Sequence, residues 1–275
     1  MEFRTTVTIP KPCFQIEPCE EMLFVGSCFA DSIGQRFLEE QFHATVNPYG
    51  VMYNPASILH TVERWLSDQP EGGRLPRVVF LTLGTNHVYR LRETGEIVDN
   101  CQKRPAALFK EEQLSVNECS DYLRRTVDLL RGRRPDVQIV LTVSPIRYRK
   151  YGYHESQLSK ATLLLSIEDL AQKDSSFHFP PSYFPAYEIV LDELRDYRFY
   201  KEDMLHPSSQ AVEYIWQQLV ENYFSPAAKQ FLREWAPLKA AFSHRPFNAD
   251  SAEYQTFITK TKAKAEELLQ RYSSH

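Results

Sequence analysis

Three unbroken apolar runs limit what this chain can fold into. The runs are MLFVG at 22–26, RVVFLTLG at 77–84 and VQIVLTVSP at 137–145. Continuous rather than alternating hydrophobicity is typical of strands that are covered on both faces, as in a parallel sheet. Segments with helical spacing, 30–42 and 116–132, lie between the runs. This alternation predicts right-handed βαβ crossovers and a three-layer α/β fold in which the three runs are neighbouring parallel strands.

The second half of the chain gives weaker signals. FHFPPSYFPAYEIVLD, at 177–192, hints at a fourth strand, although its prolines leave the limits open. Two helical stretches follow Pro226, and the segment 251–272 carries an apolar stripe from Phe257 to Tyr272. This stripe could pack back on the domain or meet a partner helix. We therefore predict a main domain over 1–225 and a helical C-terminal extension over 226–275.

Composition excludes several classes of partner. Thirty-two basic and 36 acidic side chains give a net charge of -4, which argues against nucleic-acid binding. No apolar run approaches the roughly 20 residues that span a bilayer, and the first residues lack the pattern of a signal peptide. We expect a cytoplasmic protein with no membrane association. Five scattered cysteines without a CxxC pair, and equally scattered histidines, predict neither a disulfide framework nor a metal site.

Polar residues follow each apolar run, at the strand ends where open parallel sheets bind ligands. Gly26-Ser27-Cys28 follows the first run, Gly84-Thr85-Asn86-His87 the second, and Arg147 lies just after the third. Asp203 precedes His206 by three residues, so the carboxylate can reach back to the imidazole. Acyl transfer needs a nucleophile, a base, an acid that orients the base, and donors for the oxyanion. The sequence offers a candidate for each of these roles, and the reaction needs no cofactor.

Together these blocks resemble the SGNH (GDSL-like) hydrolase superfamily, and GSCFADSIG more closely resembles the signature of the GSCFA-domain family. NPYGVMYNP, NCQKRP and SPIRYRKYGYHESQLSKATLL are also similar to segments of that family, and the resemblance covers roughly residues 1–225. It implies a flavodoxin-like SGNH fold. It also implies that Asp203 and His206 are acid and base, and that Gly50 and Asn86 complete the oxyanion hole.

Two departures from the superfamily blocks bear on activity. His87 stands where the block usually has aspartate. Aligned glycine to glycine, Cys28 occupies the nucleophile position and Ser27 that of the usual aspartate. Cys28 is therefore our first choice of nucleophile, unless the turn shifts by one residue and presents Ser27. If Ser27 and Cys28 are only a small-residue turn, Ser27 would cap the first helix and Cys28 would be a buried thiol.

A polar stretch after the third run offers candidate substrate-binding residues. We expect a loop there that brings Arg147, His154, Glu155 and Lys160 near the strand ends, where they could bind a carbohydrate or a carboxylate. The sequence thus predicts hydrolysis or transfer of an acyl ester on a glycan or small metabolite. Two alternatives stay open. One is a binding module that kept the cleft without the chemistry, and the other is a partner-docking protein, or a homo-oligomer, that uses the C-terminal helices.

Overall fold

The computed structural model describes residues 4–70, 72–173, 180–248 and 250–273. The strands are β1 Glu21–Gly26, β2 His43–Val46, β3 Val78–Leu83, β4 His87–Leu91, β5 Ile97–Val98, β6 Phe109–Gln113, β7 Gln138–Val143 and β8 Ser182–Tyr183. Five parallel strands form the main sheet in the order β2-β1-β3-β7-β8, and three antiparallel strands form a second sheet in the order β5-β4-β6. Numbered among themselves, the parallel strands have the order 2-1-3-4-5, which is the flavodoxin-like order.

The prediction that the three apolar runs are neighbouring parallel strands is confirmed, since they form β1, β3 and β7 at the centre of the main sheet. Along β1, Met22 and Phe24 belong to one buried cluster, whereas Leu23 and Val25 belong to the cluster on the other face. A strand that is buried on both faces has no polar side to alternate with. This explains why the runs are continuous.

Helices cover both faces of the main sheet. The first helix begins directly after Ser27 and the second after Asn54, and each of these two residues caps its helix with a side-chain oxygen. The helices are α1 Cys28–Glu39, α2 Pro55–Asp68, α3 Val116–Arg133, α4 Gly152–Lys173, α5 Ala186–Glu188, α6 Ser209–Tyr223, α7 Pro226–Ser243 and α8 Ala252–Ser273. The helices predicted after the first and second apolar runs are therefore present, as α1 and α3.

Two segments differ from the sequence expectations. The fourth-strand segment contributes only the two residues of β8, and from Ala186 it is helical, continuing as a π-helical turn over Ile189–Leu194. Its first part, 177–179, lies outside the described residues. The prediction of a polar loop after the third run is also wrong from Gly152 onward. The helix α4 begins at Gly152 and carries His154, Glu155 and Lys160.

The second sheet was not predicted. It lies between β3 and α3 in the chain, and β4 pairs antiparallel with both β5 and β6. Its strand β6 reads FKEEQ, in which three charged residues stand together and only Phe109 is buried. Such a strand has neither an unbroken apolar run nor a clean alternation, so the hydrophobic pattern does not reveal it.

The C-terminal helices pack against the main domain. Phe231 and Trp235 of α7, and Ala265 and Leu268 of α8, belong to the buried cluster on the α1 side of the sheet. The indole Nε1 of Trp235 donates a hydrogen bond of 3.1 Å to the carbonyl of Glu39, the last residue of α1. The apolar stripe of α8 is thus mostly covered within the chain. Among the helices of the described residues, none has the length and apolarity needed to cross a bilayer.

Candidate active site

The turn after β1 requires glycine. Gly26 has a φ of +144°, and a Cβ at this position would lie 2.2 Å from the carbonyl oxygen of Thr82. Its N–H donates to Asn47 Oδ1 at 2.9 Å, and its carbonyl accepts from Met52 N at 2.8 Å. The chain therefore passes very close to the end of β3 before α1 begins, and this close approach fixes the positions of the next two residues.

Ser27 is the N-cap of α1 and faces the interior. It is only 1% exposed, and its Oγ accepts from Phe29 N at 3.2 Å. Thr82 Oγ1 lies 3.2 Å from the same Oγ, and Ser27 N donates to both Thr82 Oγ1 and the Thr82 carbonyl. The Ser27 hydroxyl is therefore engaged within the protein and is closed off from a substrate.

Cys28 is the first residue of α1 and is partly exposed. Its Sγ lies 3.5 Å from the hydroxyl of Tyr53, and burial together with this contact raises the pKa of Tyr53 above its usual value. The N–H groups in the first turn of a helix lack intrahelical acceptors and carry partial positive charge. Of the two candidate nucleophiles, Cys28 is the one presented to solvent beside such donors. Its role as nucleophile stays a prediction.

Asp203 and His206 form a hydrogen-bonded pair on one loop. His206 Nδ1 lies 2.6 Å from Asp203 Oδ2, and Asp203 Oδ1 accepts from the backbone N–H groups of Leu205 and His206. These backbone hydrogen bonds, followed by the contact with the imidazole, hold the pKa of Asp203 well below its usual value. A carboxylate accepts hydrogen bonds only, so Nδ1 carries the proton and Nε2 is the nitrogen left to act as a base.

Arg147 and Tyr148 connect the two halves of the site. Arg147 N donates to the carbonyl of Leu205 at 3.0 Å, within the loop that holds Asp203 and His206. The Tyr148 ring lies 6.3 Å from the ring of Tyr53, whose hydroxyl meets Cys28. The His206 loop and Tyr53, the partner of Cys28, therefore both lie against one short segment that follows β7, at the carboxyl end of that strand.

The two residues predicted for the oxyanion hole each donate a hydrogen bond to a backbone carbonyl of the protein. Gly50 N donates to the carbonyl of Asn47 at 2.8 Å in a turn, and Asn86 is 3% exposed with its Nδ2 donating to the carbonyl of Leu114 at 2.7 Å. A hole needs donors that point at the developing charge. The oxyanion-hole assignment of Gly50 and Asn86 stays a prediction, and this arrangement does not support it.

His87 is buried in the second sheet. Its ring stacks on Tyr151 with centroids 3.9 Å apart, and burial lowers its pKa below the usual histidine value. Among the described residues, neither its Nε2 nor the Oδ1 of Asn86 has a hydrogen-bond partner. His87 is therefore a neutral packing residue in this structure rather than an acceptor that organises the cleft.

The predicted substrate-binding residues serve other contacts in the structure. The Arg147 guanidinium lies over the rings of Tyr153 and Tyr200 and donates to the carbonyl of Met204 at 3.2 Å. Glu155 accepts from Gln113 of β6, and His154 is exposed in the first turn of α4. Substrate binding by Arg147, His154 and Glu155 stays a prediction.

Sequence reasoning missed two residues that shape the site, Thr82 and Tyr53, and predicted a third, Lys160, in a loop. Thr82 holds Ser27, Tyr53 contacts Cys28, and Lys160 is buried beneath the strand ends. Two of them stood in segments that already drew notice, Thr82 as the one polar residue inside the second run and Tyr53 in the NPYGVMYNP segment. Within the described ranges, no group of three or more His, Cys, Asp or Glu side chains is arranged to hold a metal ion.

Solved structures similar to this chain have low sequence identity. A Streptococcus pneumonia protein, named provisionally as a platelet activating factor, is 17% identical, with a TM-score of 0.49 over 76% of this chain and 85% of its own. A GDSL-like lipase from Bacteroides thetaiotaomicron is 12% identical, with a TM-score of 0.45 over 78% of this chain and 90% of its own. A carbohydrate esterase family 3 protein from Talaromyces cellulolyticus is 12% identical, with a TM-score of 0.41 over 78% of this chain and 98% of its own.

Comparison with family models gives a clear result. No curated protein matches the chain. The model described as GSCFA family matches residues 21–75 and 74–219, and the model described as GSCFA domain protein, C-terminal domain, matches residues 235–274. The first match spans most of the main domain, including the turn at Gly26 and the loop at His206. The chain belongs to the GSCFA family.

Proposed function

We propose that this protein hydrolyses or transfers the acyl group of an ester on a glycan or small metabolite, with Cys28 as the nucleophile. The observation that carries the proposal is the pair of Asp203 and His206, with Nδ1 held 2.6 Å from the carboxylate so that Nε2 is the basic nitrogen. A base held in this way is what a thiol or hydroxyl nucleophile needs.

The reaction then follows in two stages. His206 Nε2 takes the proton of the Cys28 thiol, and Sγ attacks the ester carbonyl. The tetrahedral intermediate collapses to a thioester as the alcohol leaves with the proton from His206. A water or a second alcohol, deprotonated by Nε2, then attacks the thioester carbonyl, and the C–S bond breaks as the Cys28 thiolate takes the proton back from His206, which releases the acid or the new ester. The Cys28 N–H, in the first turn of α1, is the donor best placed for the oxyanion.

A second candidate function has an observation in its favour. Gly50 N and one N–H of Asn86 Nδ2 donate to carbonyls within the protein, and this arrangement favours a cleft with fewer oxyanion donors than the reaction needs. The non-catalytic alternative is a module that binds an ester or glycan in the same cleft without turning it over. This alternative predicts ligand binding that survives the loss of Cys28.

Point variants of the full chain test the two functions. The substrates are p-nitrophenyl acetate and a panel of O-acetylated sugars, and alkylation of Cys28 by iodoacetamide is followed by mass spectrometry. We expect Cys28→Ala to abolish turnover and His206→Gln to reduce it by about 10²–10⁴-fold. Ser27→Ala should keep turnover but cost about 1 kcal/mol of stability, because it removes a helix cap. Cys101→Ala, at another partly exposed thiol, is the matched control.

Each outcome decides between the functions. An acetylated Cys28 trapped from the wild type would support the thiol mechanism. Loss of turnover in Ser27→Ala alone would move the nucleophile back one residue. A wild type that turns over no ester and forms no acyl-enzyme, yet binds an acetylated sugar equally well with and without Cys28, would leave the binding module as the function.

Location and assembly are further parts of the proposal. The net charge of -4 and the absence of a membrane-spanning helix in the described residues are compatible with the proposed cytoplasmic location, which localisation of the tagged full chain would test. Self-association through α7 and α8 is tested by light scattering. A monomer at all concentrations would reject self-association. The apolar stripe of α8 is already mostly covered within the chain.

A further inference from the structure

Lys160 is a buried lysine at the carboxyl ends of two central strands. It lies on α4 and is 3% exposed. Its Nζ donates to the carbonyl of Gly84 at 2.7 Å and to the carbonyl of Ser144 at 2.8 Å. Gly84 follows β3 directly and Ser144 follows β7 directly, so one side chain joins the ends of two neighbouring strands.

Among the described residues, this amine has no counter-charge. In the described ranges no carboxylate pairs with Lys160, and the titratable group that faces it is Tyr187, whose ring centre lies 5.8 Å from Nζ. Burial lowers the pKa of Lys160 to about 7, and burial also raises the pKa of Tyr187, so the phenol stays neutral near that pH. An apolar side chain would avoid the cost of burying an amine, but it would leave two buried carbonyls without a donor.

The neighbouring residue on α4 contacts the same turn. Ser159 Oγ accepts from Asn86 N at 2.9 Å and lies 2.9 Å from Thr85 Oγ1. Together, Ser159 and Lys160 hold the segment 84–86 at three successive residues. Three of the polar contacts of this segment therefore come from α4, and the segment cannot shift without breaking them.

The segments that carry the carbonyls of Gly84 and Ser144 are linked by further contacts to Cys28 and to the His206 loop. On one side, the N–H groups of Gly84 and Thr85 both donate to the carbonyl of Tyr53 at 2.8 Å, and the Tyr53 hydroxyl meets Cys28. On the other side, Ser144 is followed within three residues by Arg147, whose N–H donates to the Leu205 carbonyl beside His206. Lys160 is therefore the point where the connection to Cys28 and the connection to His206 meet.

We propose that Lys160 is a positioning residue that sets the spacing between Cys28 and His206 by holding the carbonyls of Gly84 and Ser144. Because it touches neither the nucleophile nor the base, it acts through Tyr53 on one side and through Arg147 on the other. The catalytic part of this inference rests on the proposed ester chemistry. The clamp, by which we mean Lys160 holding the carbonyls of Gly84 and Ser144, does not. Errors of about 1 Å in the placement of reacting groups can cost about 10²-fold in rate.

The test compares Lys160→Met with two control variants on the same helix. Ser166→Ala removes a buried hydroxyl that bonds the carbonyls of Val116 and Thr162, away from the cleft. Leu163→Ala removes buried apolar contacts and serves as a control for lost stability. We expect Lys160→Met to lower kcat by at least about tenfold with KM changed less than about threefold. Both controls should keep kcat within about threefold at temperatures where they are folded. A kcat for Lys160→Met equal to that of Leu163→Ala would overturn the positioning role.

Hydrogen exchange of the full chain separates this inference from the proposed function. Lys160→Met should speed amide exchange together in the segments around 84–86 and 144–147, and Ser166→Ala should not. If Lys160→Met fails to fold, Ser159→Ala should loosen 84–86 alone. Faster exchange in a protein that turns over no ester would support the clamp and reject the ester chemistry. Unchanged exchange in both cleft segments would overturn the clamp whatever the activity.

Discussion

Gly26 allows a sharp test of how closely β1 and β3 approach at the site. In Gly26→Ala, the new Cβ would lie 2.2 Å from the Thr82 carbonyl oxygen and 2.5 Å from Thr82 Oγ1, at a φ of +144°. We expect a loss of roughly 4 kcal/mol in the free energy of unfolding, about 2 from backbone strain and about 2 from overpacking. The Thr82 atoms that must move also hold Ser27, so the start of α1 should move with them.

Variants of two other glycines separate backbone strain from overpacking in this loss of stability. Gly50 has a φ of +93° with open space around it, so Gly50→Ala should cost about 1–2 kcal/mol from backbone strain alone. Gly132 lies in the last turn of α3, also in open space but without a positive φ, and Gly132→Ala should gain about 0.5 kcal/mol from helix propensity.

Urea denaturation of the three variants, followed by tryptophan fluorescence, gives the free energies directly. The reasoning predicts the order Gly132→Ala, wild type, Gly50→Ala and Gly26→Ala, from most to least stable. If Gly26→Ala and Gly50→Ala agreed within about 0.5 kcal/mol, the close approach to Thr82 would be refuted, because strain alone would then explain both.

Two further predictions concern stability. Lys160 has a pKa of about 7 in the folded chain against 10.5 unfolded, so between these values the unfolded chain binds more protons and stability rises with pH. The wild type should gain about 2 kcal/mol over Lys160→Met between about pH 7 and pH 9 in urea denaturation, and parallel pH dependences would contradict this. Trp235→Phe removes the hydrogen bond to the Glu39 carbonyl and should cost about 1 kcal/mol within a single cooperative transition. A second, separate transition would show that α7 and α8 unfold independently of the main domain.

The sequence predicts the sheet well because burial on both faces leaves a direct signal. Positions on both faces of β1, β3 and β7 are apolar except for Glu21, Thr82, Gln138 and Thr142, and such runs are recognisable without knowledge of their partners. The limits of β8, which lies in the segment that hinted at a fourth strand, could not be predicted, because two residues are too few for any period to show. The antiparallel sheet was hidden for a different reason, since its stability comes from cross-strand pairs such as Arg90 with Glu112 rather than from an apolar pattern.

For the candidate site, the sequence indicates candidate residues but few of their contacts. The spacing of Asp203 and His206 was enough to predict their hydrogen bond, because three residues of chain return the carboxylate to the imidazole. The division of roles between Ser27 and Cys28 depends on Thr82, a residue 55 positions away from Ser27, and no local pattern reports such a contact. Lys160 was predicted in a polar loop at the strand ends, as a candidate to bind substrate, whereas it is buried on α4, which is rare for a lysine.

Asn86 shows how the second sheet alters the cleft. Its carbonyl accepts from Leu114 N at 2.9 Å and its Nδ2 donates to the Leu114 carbonyl at 2.7 Å, so the side chain extends the pairing of β4 with β6 by one step. One N–H of the Asn86 amide is therefore held by a strand pairing that begins at His87. The histidine that replaces the superfamily aspartate does not hold it.

It follows that His87→Asp should not restore an oxyanion donor. Asn86 would remain bonded to Leu114, and the change would bury a carboxylate where a neutral ring now stacks on Tyr151. We expect kcat/KM on p-nitrophenyl acetate to stay level or fall, together with a loss of stability of about 1–3 kcal/mol. His87→Gln, which introduces no charge, is the matched control and should cost less. A gain in kcat/KM of more than about threefold in His87→Asp would mean that the residue at 87, rather than the pairing of β4 with β6, decides where the Asn86 amide points.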